Sequence, residues 1–407
     1  MDLLLGPDGQ QRLDSYFDLI GESLKSDKSR ASFAMYAMGL LGDGERKSAE
    51  PIAARACCDP AETDKVHQRL LHMLVDSKWD DRAVRLAAAR YGLAALTERA
   101  PVDAWVVDDT GFLKQGEHSV GVQRQYTGSA GKVTNCQVGV SLCVATRYDH
   151  LPIDFDLYLP VGWCTDEARR REAHIPDTVK FRTKHALALE QISRAVAAGL
   201  PRGVVLADAA YGNSTAFREE LRRLDLDYAV GVDGSTKMWL LDSRDRRRGE
   251  PLSLKKLAQT LGPRRFRRVT WREGTKRKLT ARFAVVRVLP AHDDGWDPTE
   301  REPVTLIIEW PDQEATPTKF HLTTLPRAWA KRRIVRLLKD RWRTERVYQD
   351  FKGELGLDHY EGRRYPGWHH HISVALSCFA FLAAERARAF PPSARRQAHS
   401  HPDGRPT

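Results

Sequence analysis

Acidic residues stand at the ends of two apolar segments. Asp208 follows the run VVLA, and Asp108 and Asp109 follow AWVV. A short unbroken apolar run bounded by turn residues is typical of a strand buried on both faces of a sheet. Carboxyl groups at the ends of such strands lie where open α/β folds bind ligands. Asp208 could instead be a helix N-cap, but Asn213 and Ser214 lie closer to the start of the following helix and suit that position better.

Carboxylates at one sheet edge repel each other unless a cation lies between them. In the α/β core described below, the run AWVV forms the first strand and the run VVLA the fourth, and these two strands are neighbours. Asp108 or Asp109 would therefore converge with Asp208. Hard oxygen ligands select Mg²⁺ or Mn²⁺. A third carboxylate would complete a site for two such ions, the arrangement used for in-line displacement at phosphorus.

The segment LLKDRWRTERVYQDFKGEL supplies a candidate for the third carboxylate. At about 100° per residue, one narrow stripe of this helix carries four polar residues: Arg341, Glu345, Tyr348 and Lys352. This stripe presents a metal ligand flanked by groups that could hold phosphate. The alternative is a solvated helix face with an Arg/Glu pair four residues apart, worth a few tenths of a kcal/mol.

The elements that must position these residues change along the chain. Helical periodicity without a strand signal runs from residue 11 to about 100. The order that follows is strand, hairpin, helix, strand, helix, strand, which favours a ribonuclease H-like α/β core, and no phosphate-binding GxGxxG follows the first strand. The predicted parts are a helical domain (1–100), a core in two pieces (101–232 and 327–390), a β-rich insertion between them (233–326) and a disordered tail (391–407).

Composition restricts the partners and the compartment. The 407 residues suffice for two or three domains, and 65 Lys+Arg against 54 Asp+Glu give a net charge of +11. A basic balance favours a polyanion such as nucleic acid. The six cysteines form no CxxC pair, so neither a zinc site nor a disulfide framework is supported. The longest apolar-rich run, 372–384, is too short to span a bilayer, and we expect a cytoplasmic protein with no membrane contact.

A basic stretch, RRFRRVTWREGTKRK, lies in the β-rich insertion. Its cations are candidate phosphate contacts whose binding would weaken steeply with salt: Arg264, Arg265, Arg267, Arg268, Lys276, Arg277 and Lys278. A second conspicuous run is the triple histidine 369–371. Adjacent side chains diverge around a helix, so we do not expect these histidines to bind one metal ion.

Several of these segments, in their order, resemble the DDE transposases of bacterial insertion sequences. The resemblance rests on VDDTGFLKQG, SVGVQRQYTGSAGKVTNCQVGVSL, ADAAYG and ERVYQDFKGELGLDHYEGR, and is strongest to the insertion-sequence-701-like group, a relative of the insertion-sequence-4 type. It extends from about residue 30 to 385. It implies a ribonuclease H-like core in which two Asp and one Glu hold two divalent metals, with a β-rich insertion before the last catalytic helix.

Matched by motif, the resemblance assigns the fourth-strand aspartate to Asp208 and the glutamate to Glu345. The family strand reads Asp-x-Thr, which favours Asp108, with Asp109 as the alternative. The tyrosine of the family signature would fall on Leu338, so Tyr348 is the candidate replacement. In related cut-and-paste transposases a tryptophan of the insertion stacks on a flipped base, and Trp271 is the candidate here.

The implied function is cut-and-paste transposition with two Mg²⁺ or Mn²⁺ ions. The implied partners are double-stranded DNA, as terminal inverted repeats and as target, and a second copy of the chain in the synaptic complex. The helical first hundred residues would bind the transposon ends. The protein would be associated with the bacterial nucleoid. Two alternatives stay open: a metal-dependent nuclease that does not join strands, and a DNA-binding descendant that has lost catalysis.

Overall fold

The chain has a mixed α/β fold. The computed structural model describes residues 7–273, 278–291 and 301–390. The helices are α1 Pro7–Gly21, α2 Asp27–Leu41, α3 Ala49–Ala56, α4 Thr63–Leu71, α5 Asp81–Arg99, α6 Val161–Thr165, α7 Glu167–Glu172, α8 Lys184–Ala197, α9 Ala209–Gly212, α10 Thr215–Arg223, α11 Leu254–Thr260, α12 Lys331–Asp340, α13 Trp342–Leu355 and α14 Tyr365–Ala389. Short helical turns lie at Pro60–Glu62, His72–Asp76 and Pro263–Arg265.

The strands come from the middle of the chain. They are β1 Val102–Leu113, β2 Gln123–Thr127, β3 Lys132–Thr146, β4 His150–Tyr158, β5 Val204–Ala207, β6 Tyr228–Val232, β7 Lys237–Leu241, β8 Arg247–Ser253, β9 Arg267–Glu273, β10 Lys278–Pro290, β11 Val304–Trp310 and β12 Lys319–Thr323. The predicted change from helices to strands near residue 100 is therefore present.

The chain divides into two compact units. The first unit comprises Met1–Val102, Asp109–Phe181 and Arg346–Thr407, and the second comprises Asp103–Asp108 and Arg182–Glu345. Strand β1 and helix α13 each contribute residues to both units. Contacts between distant segments define such a unit, whereas the predicted domains rest on local composition, and their boundaries stay a prediction.

In the first unit, the N-terminal helices share a core with the C-terminal helix. Helix α14 packs against α5 and α2, and it also contacts β4. The Trp368 ring of α14 meets Phe112 of β1 and Phe155 of β4 edge to face, with centroids 5.9 and 6.3 Å apart. The helical region 1–100 thus buries its apolar faces against an element far along the chain, which helical periodicity alone does not reveal.

In the second unit, the predicted β-rich insertion continues the sheet of the predicted core. The strand order is β1, β5, β6, β12, β11, β10, β7 and β8, with β9 also paired to β10. Strand β12 runs antiparallel to β6, with Phe320 opposite Val232 and Leu322 opposite Val230. Main-chain hydrogen bonds therefore join the insertion to β6, which local sequence patterns could not indicate.

Several local predictions differ from the structure in detail. Strand β4 was not foreseen, and β1 extends to Leu113 although the sequence ends the strand near residue 108. The segment LLKDRWRTERVYQDFKGEL, predicted as one helix, belongs to two helices, α12 and α13, which meet at Arg341. Among the helices in the described ranges, none combines the length and apolar character needed to cross a membrane.

Candidate active site

Strands β1 and β5 run side by side in the same direction. Asp108 lies within β1, which continues to Leu113, and Asp208 follows the last residue of β5. The register pairs Val106 with Leu206. Continued by two residues, this register brings Asp108 level with Asp208. Because paired strands lie about 4.8 Å apart, this extended register puts the backbone of Asp108 beside the point where β5 ends.

Asp208 is half-buried and caps a single helical turn. Its Oδ1 accepts a hydrogen bond of 2.9 Å from the backbone N–H of Ala210, the second residue of α9. The longer helix α10 has its own cap, since the Ser214 hydroxyl accepts from the N–H of Phe217, and Ser214 is one of the two residues, with Asn213, that the sequence favoured for this cap. An ionised carboxylate has about four acceptor sites. The cap at Asp208 therefore leaves acceptor capacity for a cation.

The rest of the ADAAYG segment fixes this turn against the sheet. A methyl group at Gly212 would lie 1.9 Å from the carbonyl oxygen of Gly231 in β6, so only glycine allows this approach. Tyr211 is buried, and its ring lies 5.4 Å from that of His185. The Nε2 of His185 donates to the carbonyl oxygen of Ala210 at 2.8 Å. His185 was not predicted to support the site, because it lies on the preceding helix with no motif around it.

Arg341 links Asp108 to Glu345. Its Nη1 donates to Oδ2 of Asp108 at 3.1 Å, and its Nη2 donates to Oε1 of Glu345 at 3.5 Å. The side chain of Asp108 is 15% exposed and that of Glu345 is 62% exposed. Two acids from distant segments thus contact one guanidinium, and both remain accessible to solvent.

Strand geometry distinguishes Asp108 from its neighbour. Successive side chains of a strand point to opposite faces, so Asp109 points away from the face that carries Asp108 and Val106. Asp108 is the aspartate that pairs with Arg341. This geometry favours Asp108 over the alternative that the sequence left open.

The predicted stripe of polar residues passes through the junction of α12 and α13. Arg341 keeps helical dihedral angles (φ −52°, ψ −36°), so the spacing of the stripe is preserved. Tyr348 is buried, and its hydroxyl group is hydrogen-bonded to Ser141 of β3. Lys352 donates to Oγ1 of Thr110 at 3.0 Å and to the carbonyl oxygen of Gly111 at 2.6 Å. Burial lowers the pKa of Lys352, with nearby Asp358 opposing the shift.

These contacts give the stripe two environments. Arg341 and Glu345 lie beside Asp108, whereas Tyr348 and Lys352 contact strands of the first unit. Lys352 holds β1 at the two residues that follow Asp109. Contacts of Tyr348 and Lys352 with phosphate stay predictions.

A family model described as DDE superfamily endonuclease matches residues 20–278. The chain belongs to the DDE superfamily endonucleases. The matched segment contains Asp108 and Asp208 and ends before Glu345. A relative named "Probable transposase for insertion sequence element IS701", from Microchaete diplosiphon, is 28% identical over 221 residues, which are 54% of this chain and 53% of the relative. The chain thus spans about half the length of this curated relative.

DDE endonucleases generally use divalent metal ions, and the acids of this DDE endonuclease are suitable ligands. Within the described ranges, no three His, Cys, Asp or Glu side chains are gathered closely enough to hold an ion. Asp108 and Glu345 nevertheless share one cationic group, the guanidinium of Arg341. Asp208 follows β5, the strand paired with the segment of β1 that leads to Asp108. Carboxylate oxygens such as these are hard ligands of the kind that divalent cations prefer.

The predicted nucleic-acid contacts lie on or near β9. Five of these cations are in the described ranges and exposed, while Lys276 and Arg277 lie outside the described residues: Arg264, Arg265, Arg267, Arg268 and Lys278. Arg268 forms a bidentate ion pair with Asp312 at 3.2 Å, so a carboxylate already neutralises it.

Trp271 is half-buried in the sheet of the second unit. Its ring meets Phe283 edge to face at 6.0 Å, and Lys339 Nζ lies 4.7 Å from its centroid. A carboxylate also holds this lysine, since Lys339 forms an ion pair of 2.6 Å with Glu309. Trp271 is therefore packed on β9 beside a fixed cation. Its stacking on a base stays a prediction.

Proposed function

We propose that this DDE endonuclease is a transposase of an insertion sequence. It would cleave DNA at terminal inverted repeats and join the freed 3′ ends to target DNA. The central observation is that Asp108 and Glu345 contact the same guanidinium of Arg341, while the register of β1 and β5, extended by two residues, brings Asp208 level with Asp108. The printed name of the relative supports strand joining in addition to cleavage.

The carboxylates of Asp108, Asp208 and Glu345 would hold two Mg²⁺ or Mn²⁺ ions in a ribonuclease H-like core. When bound, such ions lower the pKa of attacking water and stabilise charge at phosphorus. The cap at Ala210 orients Asp208, and the rigid register of β1 and β5 fixes its distance from Asp108. These contacts preorganise the acids before DNA binds.

The cations on the stripe have different proposed roles. Arg341 already lies between two acids, so it would supply positive charge beside the scissile phosphate. Lys352 bonds to Thr110 and Gly111 and would hold β1 in place immediately after the aspartates. Tyr348 would act in the same way through β3, or would contact phosphate as the resemblance implies.

DNA would contact the basic residues around β9 and, at a flipped base, Trp271. The helical region 1–100 would recognise the transposon ends, and a homodimer would bring two ends together in the nucleoid of a bacterial cytoplasm. The net charge of +11 supports a polyanionic partner.

A strand-joining assay tests this proposal. The purified protein is incubated with Mg²⁺, a plasmid that carries the gene with its native flanking DNA, and a second plasmid as target. We expect excised DNA with free 3′-OH ends and products joined to the target. Glu345→Gln should abolish both products, whereas Glu354→Gln, an exposed glutamate on the same helix, should retain them.

Each other outcome contradicts the proposal in a distinct way. Cleavage without joined products would indicate a nuclease that does not transfer strands. Binding of the flanking DNA without cleavage would indicate a descendant that has lost catalysis. Equal activity of the Glu345→Gln and Glu354→Gln proteins would remove Glu345 from the site.

A further inference from the structure

Helix α12, which ends next to Arg341, has one apolar and one basic face. Ile334, Val335 and Leu338 are buried. Arg332 and Arg336 are exposed on the solvent side, one helical turn apart. Within the described ranges, neither of these two arginines has a carboxylate partner.

A second set of cations lies beside the first turn of α12. The helix packs against β9, which carries the exposed Arg267. Burial, together with the positive charges of Arg267 and Arg265, lowers the pKa of Lys331. Lys331 therefore lies in a cluster of like charges. We define the α12 basic face as Lys331, Arg332, Arg336, Arg265 and Arg267.

This arrangement is unfavourable for the isolated protein. Like charges four residues apart repel each other on a helix. The first turn of α12 carries three cations and no acidic residue, opposite to the charge that a helix dipole favours there. An external polyanion that lies along the face would relieve this repulsion.

The position of the face relative to the acids suggests which polyanion. Arg341 follows α12 in helical conformation and contacts Asp108. At 1.5 Å per residue, Arg336 and Arg332 lie about 7 and 13 Å from Arg341 along the helix axis. A strand whose phosphate reaches Arg341 could therefore place its neighbouring phosphates along α12.

We propose that the α12 basic face binds the backbone of duplex DNA and guides it to the acids at Asp108 and Glu345. The inference rests on the proposed function and adds Lys331, Arg332 and Arg336 to the DNA contacts. The contacts are with phosphate, so they do not depend on base sequence.

The test measures binding of the full-length protein to a duplex oligonucleotide of arbitrary sequence, in EDTA, over a series of salt concentrations. The logarithm of the binding constant K falls as the logarithm of the salt concentration rises, and each lost phosphate contact makes this slope shallower by about 0.9. We expect the slope to become shallower by about 2 in Arg332→Gln/Arg336→Gln and by about 1 in Lys331→Gln.

The matched control is Arg202→Gln/Arg223→Gln, which removes two arginines from the second unit that lie beside Asp225 and Glu220. Its slope should equal that of the wild type. Thermal unfolding of all variants verifies that they fold, and Arg332→Lys/Arg336→Lys should restore the wild-type slope.

Equal slopes for the α12 variant and the control would overturn this inference. Tighter binding of duplex RNA than of duplex DNA, with the same slope loss, would also overturn the choice of DNA. The assay contains no metal and requires no cleavage. A failure of the proposed transposase activity therefore leaves its result intact, and a failure here leaves the joining assay intact.

Discussion

Two clusters of polar residues in this protein have opposite environments. Asp108 of β1 and Glu345 of α13 are partly exposed to solvent and share the single guanidinium of Arg341, and the half-buried Asp208 follows β5. The histidines 369–371 of α14 are buried in the first unit. The rings of His370 and Trp79 stack with centroids 3.9 Å apart, and His371 bonds to Tyr36 and to the carbonyl oxygen of Leu357.

Burial sets the protonation of the histidines. It lowers the pKa of His369 to about 4 and that of His371 to about 4. Because a carbonyl can only accept, Nε2 of His371 carries the proton toward Leu357 and Nδ1 accepts from the Tyr36 hydroxyl. The histidines thus serve packing as neutral groups, whereas the acids keep accessible oxygens. Accessibility, more than residue type, separates a candidate site from a core.

The largest effect should come from Asp208→Asn. Asparagine caps a helix as well as aspartate does, so α9 should persist while the negative charge is lost. We expect DNA cleavage to fall by roughly a thousandfold, equivalent to about 4 kcal/mol. Asp109→Asn, on the opposite face of β1, should stay within severalfold of wild type. Comparable losses in both variants, measured as initial cleavage rates, would contradict the choice of face.

A smaller effect should appear in the pH dependence of stability. The folded histidines 369 and 371 stay neutral down to about pH 4, whereas unfolded histidine takes up a proton near pH 6.5. The unfolded chain therefore binds more protons between these values, and stability falls as the pH drops from 6.5 toward 4. Each histidine should contribute up to about 1.4 kcal/mol per pH unit.

Urea unfolding midpoints at several pH values measure this effect. His371→Gln should lower overall stability but flatten the pH dependence, since one titrating group is lost. An unchanged pH dependence in this variant would show that folding does not lower the pKa of His371. The contrast between buried, neutral histidines and accessible acids would then not hold for His371.

The smallest effect should come from Tyr348→Phe. Loss of the hydroxyl bonded to Ser141 should cost about 1 kcal/mol of stability. If Tyr348 only packs, the cleavage rate should change by less than about threefold when equal amounts of folded protein are compared. This corresponds to a change in activation free energy well under about 1.4 kcal/mol. A much larger fall in the cleavage rate with unchanged stability would instead assign Tyr348 a contact with phosphate.

The sequence alone determined the local features of the candidate site. An apolar run followed by a carboxylate predicted the end of β5, since burial pattern and strand length are local properties, but β1 continues past Asp108 to Leu113. The spacing of Arg341 and Glu345 predicted their contact, because residues four apart meet on a helix. Asn213 and Ser214 were the two predicted candidates for the cap of α10, and Ser214 is the one that forms it.

The tertiary structure decided what depends on segments far apart in the chain. It pairs Arg341 with Asp108, packs the helices of residues 1–100 with α14, and joins β12 to β6. It also buries the histidines 369–371 and leaves the arginines on the outer face of α12 exposed. The hydrophobic periodicity of a helix or strand indicates which of its faces is apolar. Only tertiary packing decides which other element covers that face.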